Sequence, residues 1–343
     1  MTRSAALIVI NYKTAGLAAD AIRTARAAYS APLQVIVVDN SVDAREAEAL
    51  RPIADVVIIA ERNLGYAAAI NRARQKTDAE ALIVANPDVV FGAHSLDALL
   101  GVDAAVAGPA LYWDDAYEWM LPQAELQTAA QVLDRALASR SRTWARKRDR
   151  RRIAARLAFW SRSDLREVQA LSGSVLAIRT SAFDRAGGFD ERFPLYFEEN
   201  DFLRRVERPI LYVPAARCRH IYNQSAGDSP EAAALYAISE RVYLEKWNGR
   251  YVARVLKTIE RPVTSTRATE LGDEPIVARP GTVVEASPLS TFDMAAGHFP
   301  RSSAVTIPPS IWDNYRGNAL YLRVIDRGTG SILANYVRTK IRI

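Results

Sequence analysis

The sequence has a single cysteine, Cys218, in 343 residues. No intrachain disulfide can form, and one unpaired thiol fits a reducing, cytoplasmic setting. Long apolar runs are also missing. The longest, such as Ala5 to Ile10, hold about half a dozen residues, far short of the ~18 that would span a bilayer. Met1 to Ile10 resembles a signal start, but it passes into Asn11, Tyr12 and Lys13 with no small-residue cleavage site, so it reads as a first strand. One cysteine and three histidines leave no zinc-type Cys/His set. There is no Walker loop and no G-x-G-x-x-G. Negative charge is in deficit: the net charge is +6. That suggests an anionic partner without naming it, since nucleotides, phospholipids and nucleic acids all qualify.

What is present is ordinary globular material, 49% hydrophobic and 24% charged, and long enough for two domains. Residues 5–100 alternate strand-like and helix-like segments. Ala5 to Ile10, Leu33 to Val38, Val56 to Ala60 and Ala81 to Ala85 read as strands, with helices at Ala15 to Tyr29, 43–51 and Gly65 to Lys76. Such alternation predicts a mostly parallel sheet with helices on both faces. Three of these strands end in polar residues: Asn11, Asp39-Asn40 and Asn86-Pro87-Asp88. Strand ends in a parallel sheet lie along one rim, where ligands bind, so these groups should converge. Asp88 is the organising residue. Pro87 cannot continue a central strand, and a carboxylate at a strand exit can hold a hard divalent cation. The alternative is a turn Asp that hydrogen-bonds its own backbone.

Further along the composition shifts twice. Arg140 to Arg156 carries nine basic residues and one acidic one, Asp149, and runs into Ile153, Leu157, Phe159 and Trp160. A basic helix turning amphipathic suits an anionic membrane surface, although a solvated insertion reads the same way. Nucleic acid is not expected, because no recognised nucleic-acid module accompanies the run. Later, Glu198-Glu199-Asn200-Asp201 places three carboxylates within four residues, among aromatics. They are expensive to pack unless cations or ligands answer them. Residues 229–256 read as a long helix broken near Asn248-Gly249, and 262–281 as a linker. Ala319 to Asp326 and Ser331 to Lys340 alternate around Gly328-Thr329-Gly330 as a β-hairpin. The expected organisation is an α/β domain over 1–260, with a basic insertion at 135–166, and a small β-sandwich-like domain of unknown role over 261–343.

The order of these pieces resembles the family 2 glycosyltransferases of GT-A fold, nearest to the bacterial rhamnosyltransferase-like members. The resemblance covers roughly residues 5–250. It rests on Ile8-Val9-Ile10-Asn11-Tyr12, Val37-Val38-Asp39-Asn40-Ser41, Arg62-Asn63-Leu64-Gly65-Tyr66, Asn86-Pro87-Asp88-Val89, Gly187-Gly188-Phe189-Asp190-Glu191, Tyr196-Phe197-Glu198-Glu199-Asn200-Asp201 and His220. It implies an inverting, metal-dependent transferase acting in cell-surface polysaccharide synthesis. The donor would be a nucleoside-diphosphate sugar, with dTDP-rhamnose favoured. The acceptor would be a glycan or a polyprenyl-linked glycan, at the inner face of the plasma membrane. Asn11, Asp39, Asn40, Asn63, Gly65, Asn71, Asn86 and Asp88 would serve the donor, with Asp39 reading the base or ribose. Asp88 and His220 would bind Mg²⁺ or Mn²⁺, in a variant of the Asp-x-Asp motif whose first position is Asn86. Glu199 would be the base, with Asp201 the runner-up (or a partner for Arg204 or Arg205) and Glu198 beside them. Ser172, Gly188 and Phe189 would lie on the acceptor side. A homodimer is a further expectation.

Two other readings remain at this point. A sugar-phosphate nucleotidyltransferase would also use such a sheet, carboxylates and Mg²⁺, but would want a Gly-rich phosphate loop that Ile10-Asn11-Tyr12-Lys13-Thr14 does not supply. A catalytically inert carbohydrate-binding protein would make the terminal β domain the active part.

Overall fold

The structure, a computed structural model, describes residues 3–221, 230–259 and 268–340. The chain forms two compact units that are discontinuous in sequence. The first holds residues 1–111, 124–126 and 164–243. The second holds 112–123, 127–163 and 244–343. The basic segment therefore groups with the C-terminal sheet. The boundary expected at 260/261, and residues 262–267 of the expected linker, lie outside the described residues.

In the first unit the predicted alternation is realised as β1 (Ala5–Asn11), α1 (Ala15–Ala27), β2 (Leu33–Asp39), α2 (Ala44–Leu50), β3 (Val56–Ile59), α3 (Tyr66–Arg74) and β4 (Ala81–Ala85). Strands β3, β2, β1 and β4 are neighbours in that order and parallel. Every residue of β1 and β4 is buried, which explains their unbroken Val/Ile/Leu/Ala runs: helices cover both faces. Each such buried Val, Ile or Leu contributes ~1.5–3 kcal/mol. Helix α1 turns Ala15, Ala18, Ile22 and Ala25 inward, a 3–4 spacing whose small side chains permit a close approach.

Past β4 the sheet becomes mixed. The next elements are β5 (Val89–Phe91), α4 (Ser95–Leu100) and β6 (Val106–Tyr112). After two helices of the second unit, α5 (Ala129–Ala138) and α6 (Arg142–Trp160), come β7 (Arg166–Glu167), β8 (Val175–Arg179), α7 (Thr180–Arg185), α8 (Glu198–Arg205) and β9 (Ile210–His220). The sheet has nine strands in the order β3-β2-β1-β4-β8-β6-β9-β5, with β7 also on β9. Strand β8 is antiparallel to β4, and β5 to β9 with Val89 opposite His220. That register sets Asp88 beside the end of β9.

Helices α9 (Pro230–Asn248) and α10 (Arg250–Ile259) break at Gly249, as expected. The second unit then adds β10 (Thr269–Glu270), β11 (Ile276–Val277), β12 (Thr282–Ser287), β13 (Ala296–His298), β14 (Ala304–Val305), α11 (Pro309–Trp312), β15 (Ala319–Asp326) and β16 (Ile332–Thr339). A five-stranded sheet runs β10-β16-β15-β12-β13, and β11 pairs β14. Helix α6 is tied to this sheet by buried charge. Arg156 holds Glu285 through two bonds of 2.7 and 3.1 Å, and Arg323 bridges Glu285 at 2.6 Å and Asp149 at 3.0 Å. Arg148 and Arg152 pair with Asp293, both at 3.1 Å. Much of the basic run is thus internal wiring. Residues 113–119 form a tight knot in which the Asp114 carboxylate accepts the Glu118 and Trp119 amides and both Trp113 and Trp119 are buried.

Candidate active site

The rim of the first unit's sheet starts at Asn11. Its Oδ1 accepts the Thr14 amide and hydroxyl, both at 3.1 Å. Its Nδ2 lies 3.0 Å from Asp39 Oδ1, 3.2 Å from Ser41 Oγ and 2.9 Å from Glu46 Oε2. Asn11 is fully buried and acts as a latch between strand ends. Asp39 is also fully buried. Its Oδ1 accepts from Asn11 and from the Ser41 amide, whereas its Oδ2 is buried with no hydrogen-bond partner. An orphaned buried carboxylate oxygen is costly and can be answered by a ligand N–H or O–H.

Neighbouring groups shape the turn before α3. The Asn40 amide donates to the Gly65 carbonyl at 3.2 Å, and Asn63 Oδ1 accepts the Gly65 amide at 2.9 Å. Gly65 has φ +79°, and a Cβ there would sit 2.7 Å from the Pro194 carbonyl oxygen. Only glycine meets both conditions. Asn71 is spent elsewhere. Its Nδ2 donates to the Phe189 carbonyl at 2.8 Å and to Glu191 at 2.9 Å, and its Oδ1 accepts the Phe189 amide at 3.0 Å. It stitches α3 to the Gly187-Gly188 turn, where a Gly188 Cβ would meet Asn71 Oδ1 at 2.6 Å.

Asp88, 3% exposed, faces His220 with Oδ1 3.3 Å from Nε2. Two neighbouring ligands of an octahedral ion held at ~2.0–2.1 Å lie about 3 Å apart, so this carboxylate–imidazole pair fits a Mg²⁺- or Mn²⁺-sized cation. Among the described residues no group of three or more His, Cys, Asp or Glu forms a fuller metal site. The other positions would fall to phosphate oxygens and water. Asn86 is half-buried, and its amide donates to the Ser174 carbonyl at 2.9 Å.

That last bond leads to the acidic motif. Ser172 and Ser174 share a hydroxyl bond of 2.9 Å. Between them, a Cβ on Gly173 would lie 3.0 Å from Glu199 Cγ. The Tyr66 hydroxyl donates to the Gly173 carbonyl at 3.4 Å. Burial, then Glu198, Glu199 and Asp88, push the Tyr66 phenol well above its ordinary value. The Ser172–Ser174 turn thus touches both the Asn86 segment that leads into Asp88 and the Glu199 side chain. Tyr66 closes the Arg62-Asn63-Leu64-Gly65-Tyr66 segment. Its sequence signal is an aromatic at the first helical position after a left-handed glycine.

Glu198, Glu199 and Asp201 open α8, where carboxylates suit the helix dipole, and diverge in environment. Two consecutive residues ahead of them, Tyr196 and Phe197, have φ +68° and +69°. Left-handed backbone costs a non-glycine residue ~1–2 kcal/mol. Phe197, buried against Tyr236 and Tyr243 at 5.1 and 5.3 Å between ring centres, holds the turn. Glu198 is buried with Oε2 unpartnered; burial and the charge of Glu199 raise it well above the usual carboxylate range. Glu199 is raised by burial, while the Asn200 amide, donating at 3.0 Å, favours its charged form. Asp201 is fully buried and bonded by Arg205 Nε at 2.8 Å. Arg205 also holds the carbonyls of Ala186 and Gly188. Phe189 stacks on Phe202 at 4.8 Å and is buried. Asp201, Asn71 and Phe189 thus brace the Gly187-Gly188 turn, and Gly188 is part of that turn.

Three comparisons bear on this site. A family model described as "Glycosyltransferase like family 2" matches residues 6–230. The N-acetylglucosaminyl-diphospho-decaprenol L-rhamnosyltransferases of two Mycobacterium tuberculosis strains are each 30% identical over 238 residues, 62% of this chain and 74% of theirs. Among solved structures, Staphylococcus aureus TarS 1–349 with UDP aligns at TM-score 0.42 and 15% identity, covering 75% of this chain and 70% of that one. The Pyrobaculum calidifontis mannosyltransferase PcManGT with GDP-Man and Mn²⁺ aligns at 0.43 and 14%, covering 76% and 74%.

Proposed function

The chain belongs to glycosyltransferase family 2, and from that premise we propose that it is an inverting transferase. It moves a sugar from a nucleoside diphosphate to a hydroxyl of a glycan in cell-surface polysaccharide synthesis. That it is a nucleotide-sugar glycosyltransferase follows from the family and the relatives, which sets the nucleotidyltransferase reading aside. The observation that carries the finer reading is the link between the two halves of the site: Asn86, two residues before Asp88, bonds the Ser174 carbonyl, while the adjoining Gly173 packs against Glu199 and accepts the Tyr66 hydroxyl.

Asp39 Oδ2 accepts a hydrogen bond from the base or ribose of the donor. Asn40, Asn63 and Gly65 fix the turn beside it, and Asn86 carries the chain into Asp88. Asp88 and His220 would hold a divalent cation, which when bound neutralises the charge that grows on the departing diphosphate. Glu198, buried beside a like charge, keeps its proton over a wider pH range, so the pair carries its negative charge on Glu199. Glu199 takes the proton from the acceptor hydroxyl as that oxygen attacks the anomeric carbon and the bond to the diphosphate breaks. Attack from the face opposite the leaving group inverts the centre. The 30% identity to L-rhamnosyltransferases acting on a decaprenyl-linked sugar supports rhamnose as donor and a polyprenyl-linked glycan as acceptor.

Membrane contact belongs to the same reading. Among the described residues no helix is long and apolar enough to cross a membrane. Arg142, Arg146, Lys147 and Arg150 of α6 are exposed, as are Leu133 and Leu137 of α5 and Tyr251, Val252 and Val255 of α10. Basic and apolar groups on one unit suit an anionic lipid surface.

A donor screen by thermal shift tests the chemistry. One nucleoside diphosphate among dTDP, UDP and GDP should raise the melting temperature with Mn²⁺, by mass action, and lose that effect in Asp88→Ala. An equal shift without metal would remove the cation from the account.

A further inference from the structure

We propose that the second unit carries a binding subsite for a neutral glycan, separate from the residues assigned to transfer. The unit carries an open cleft of about 260 Å³, walled by β16, α11 and the segments around β11 and β14. Clefts that take drug-sized ligands measure ~300–1,000 Å³, so this one suits a sugar ring or two.

The walls define the ligand class. Asp273, Glu274 and Asp313 line the cleft with Arg338, Trp312 and Thr306. Three carboxylates disfavour an anion. The Arg338 guanidinium disfavours a compact cation, and isoleucine, valine and proline side chains complete the wall, which a small ion would not use. A neutral polyol uses all of it. Its hydroxyls donate to carboxylates and accept from the guanidinium and the Thr306 hydroxyl, and its C–H faces lie against the apolar side chains, while the indole braces the guanidinium.

The cationic groups are also held in place. Arg338 is paired with Asp273, and its guanidinium lies 4.2 Å from the centre of the Trp312 ring. Lys340 lies 5.0 Å from the same ring and donates to the Tyr315 carbonyl at 2.6 Å. Tyr315 in turn donates to the Ala319 carbonyl at 2.7 Å and meets Trp113 edge-on at 6.0 Å. Preorganised donors and a fixed aromatic reduce the ordering cost of binding. Nothing in the transfer chemistry uses these residues, so binding here stands apart from whether the first unit transfers sugar.

Saturation-transfer NMR on the full chain, without nucleotide or cation, tests it. The probes are methyl α-L-rhamnopyranoside and methyl N-acetyl-β-glucosaminide. At least one should receive saturation. Affinity should fall about tenfold in Asp313→Asn, the loss expected for one hydrogen bond to a charged group, and further in Trp312→Ala. Asp313 is exposed, so its substitution spares the fold even if Trp312→Ala does not. Asp88→Ala should bind as wild type does. No saturation of either probe overturns the proposal, as does equal saturation in wild type and Asp313→Asn. Loss of signal in Asp88→Ala also overturns it, by moving the sugar to the first unit.

Discussion

Glu198 and Glu199 are neighbours of one type in different surroundings. Both are raised by burial, but Glu198 has only its own backbone N–H favouring its charged form, whereas Glu199 has several donors, the Asn200 side-chain amide among them. They titrate as a pair. The acid limb of kcat/KM should therefore lie above the usual carboxylate range, since the base must be unprotonated. Asn200→Ala removes a bond to the charged form, so the limb should move to higher pH; a limb that stays put would separate Asn200 from the base. The same pair weighs on stability. A carboxyl raised in the folded state loses stability as pH climbs from its unfolded value through its folded one. Glu198→Gln should then raise Tm at neutral pH, with the gain fading below ~pH 4, where the carboxyl is protonated in either state; an equal gain at both would assign it to packing. The residue types at this site were legible in the sequence, because carboxylates among aromatics demand an answer. Asp201's capture by Arg205, four residues on in the same helix, was already an open alternative there. Asn71's capture by Phe189, 118 residues away, was not legible.

At the scale of elements, the parallel strands and their helices could be read from hydrophobic runs because β1 and β4 are buried on both faces. The role of α6 could not. Its arginines read as a membrane-facing stripe, yet Arg148, Arg152 and Arg156 answer Asp293 and Glu285, acids that lie far on in the chain. Periodicity cannot pair charges across 129 residues. Removing one partner of a buried pair costs ~3–5 kcal/mol. Arg156→Ala should accordingly lower the denaturant midpoint of the second unit and speed its hydrogen exchange. A change under ~0.5 kcal/mol, the size of an ordinary surface substitution, would mean that the pair contributes nothing.

The whole molecule divides into a unit with the transfer residues and a unit with the C-terminal sheet and the basic helix. Of five exposed cations on α6, Arg151 pairs with Asp134; each of the other four would contribute ~1 kcal/mol at an anionic membrane. Replacing Arg142, Arg146, Lys147 and Arg150 with Gln should reduce partition onto phosphatidylglycerol vesicles roughly a thousandfold; unchanged flotation would leave the helix to structure alone. The discontinuous make-up of the units was hidden in the sequence, since residues 112–123 and 127–163 join a sheet built from the far end of the chain. In the proposed function, Asp88 of the first unit serves the diphosphate and Glu199 the acceptor proton. The most direct measurement sets donor affinity against turnover in two variants. Glu199→Gln should bind the nucleotide sugar with Mn²⁺ as wild type does while kcat falls ~10²–10⁴-fold, and Asp88→Ala should lose metal-dependent donor binding itself. Wild-type turnover in Glu199→Gln, or undiminished metal-dependent binding in Asp88→Ala, would contradict the account.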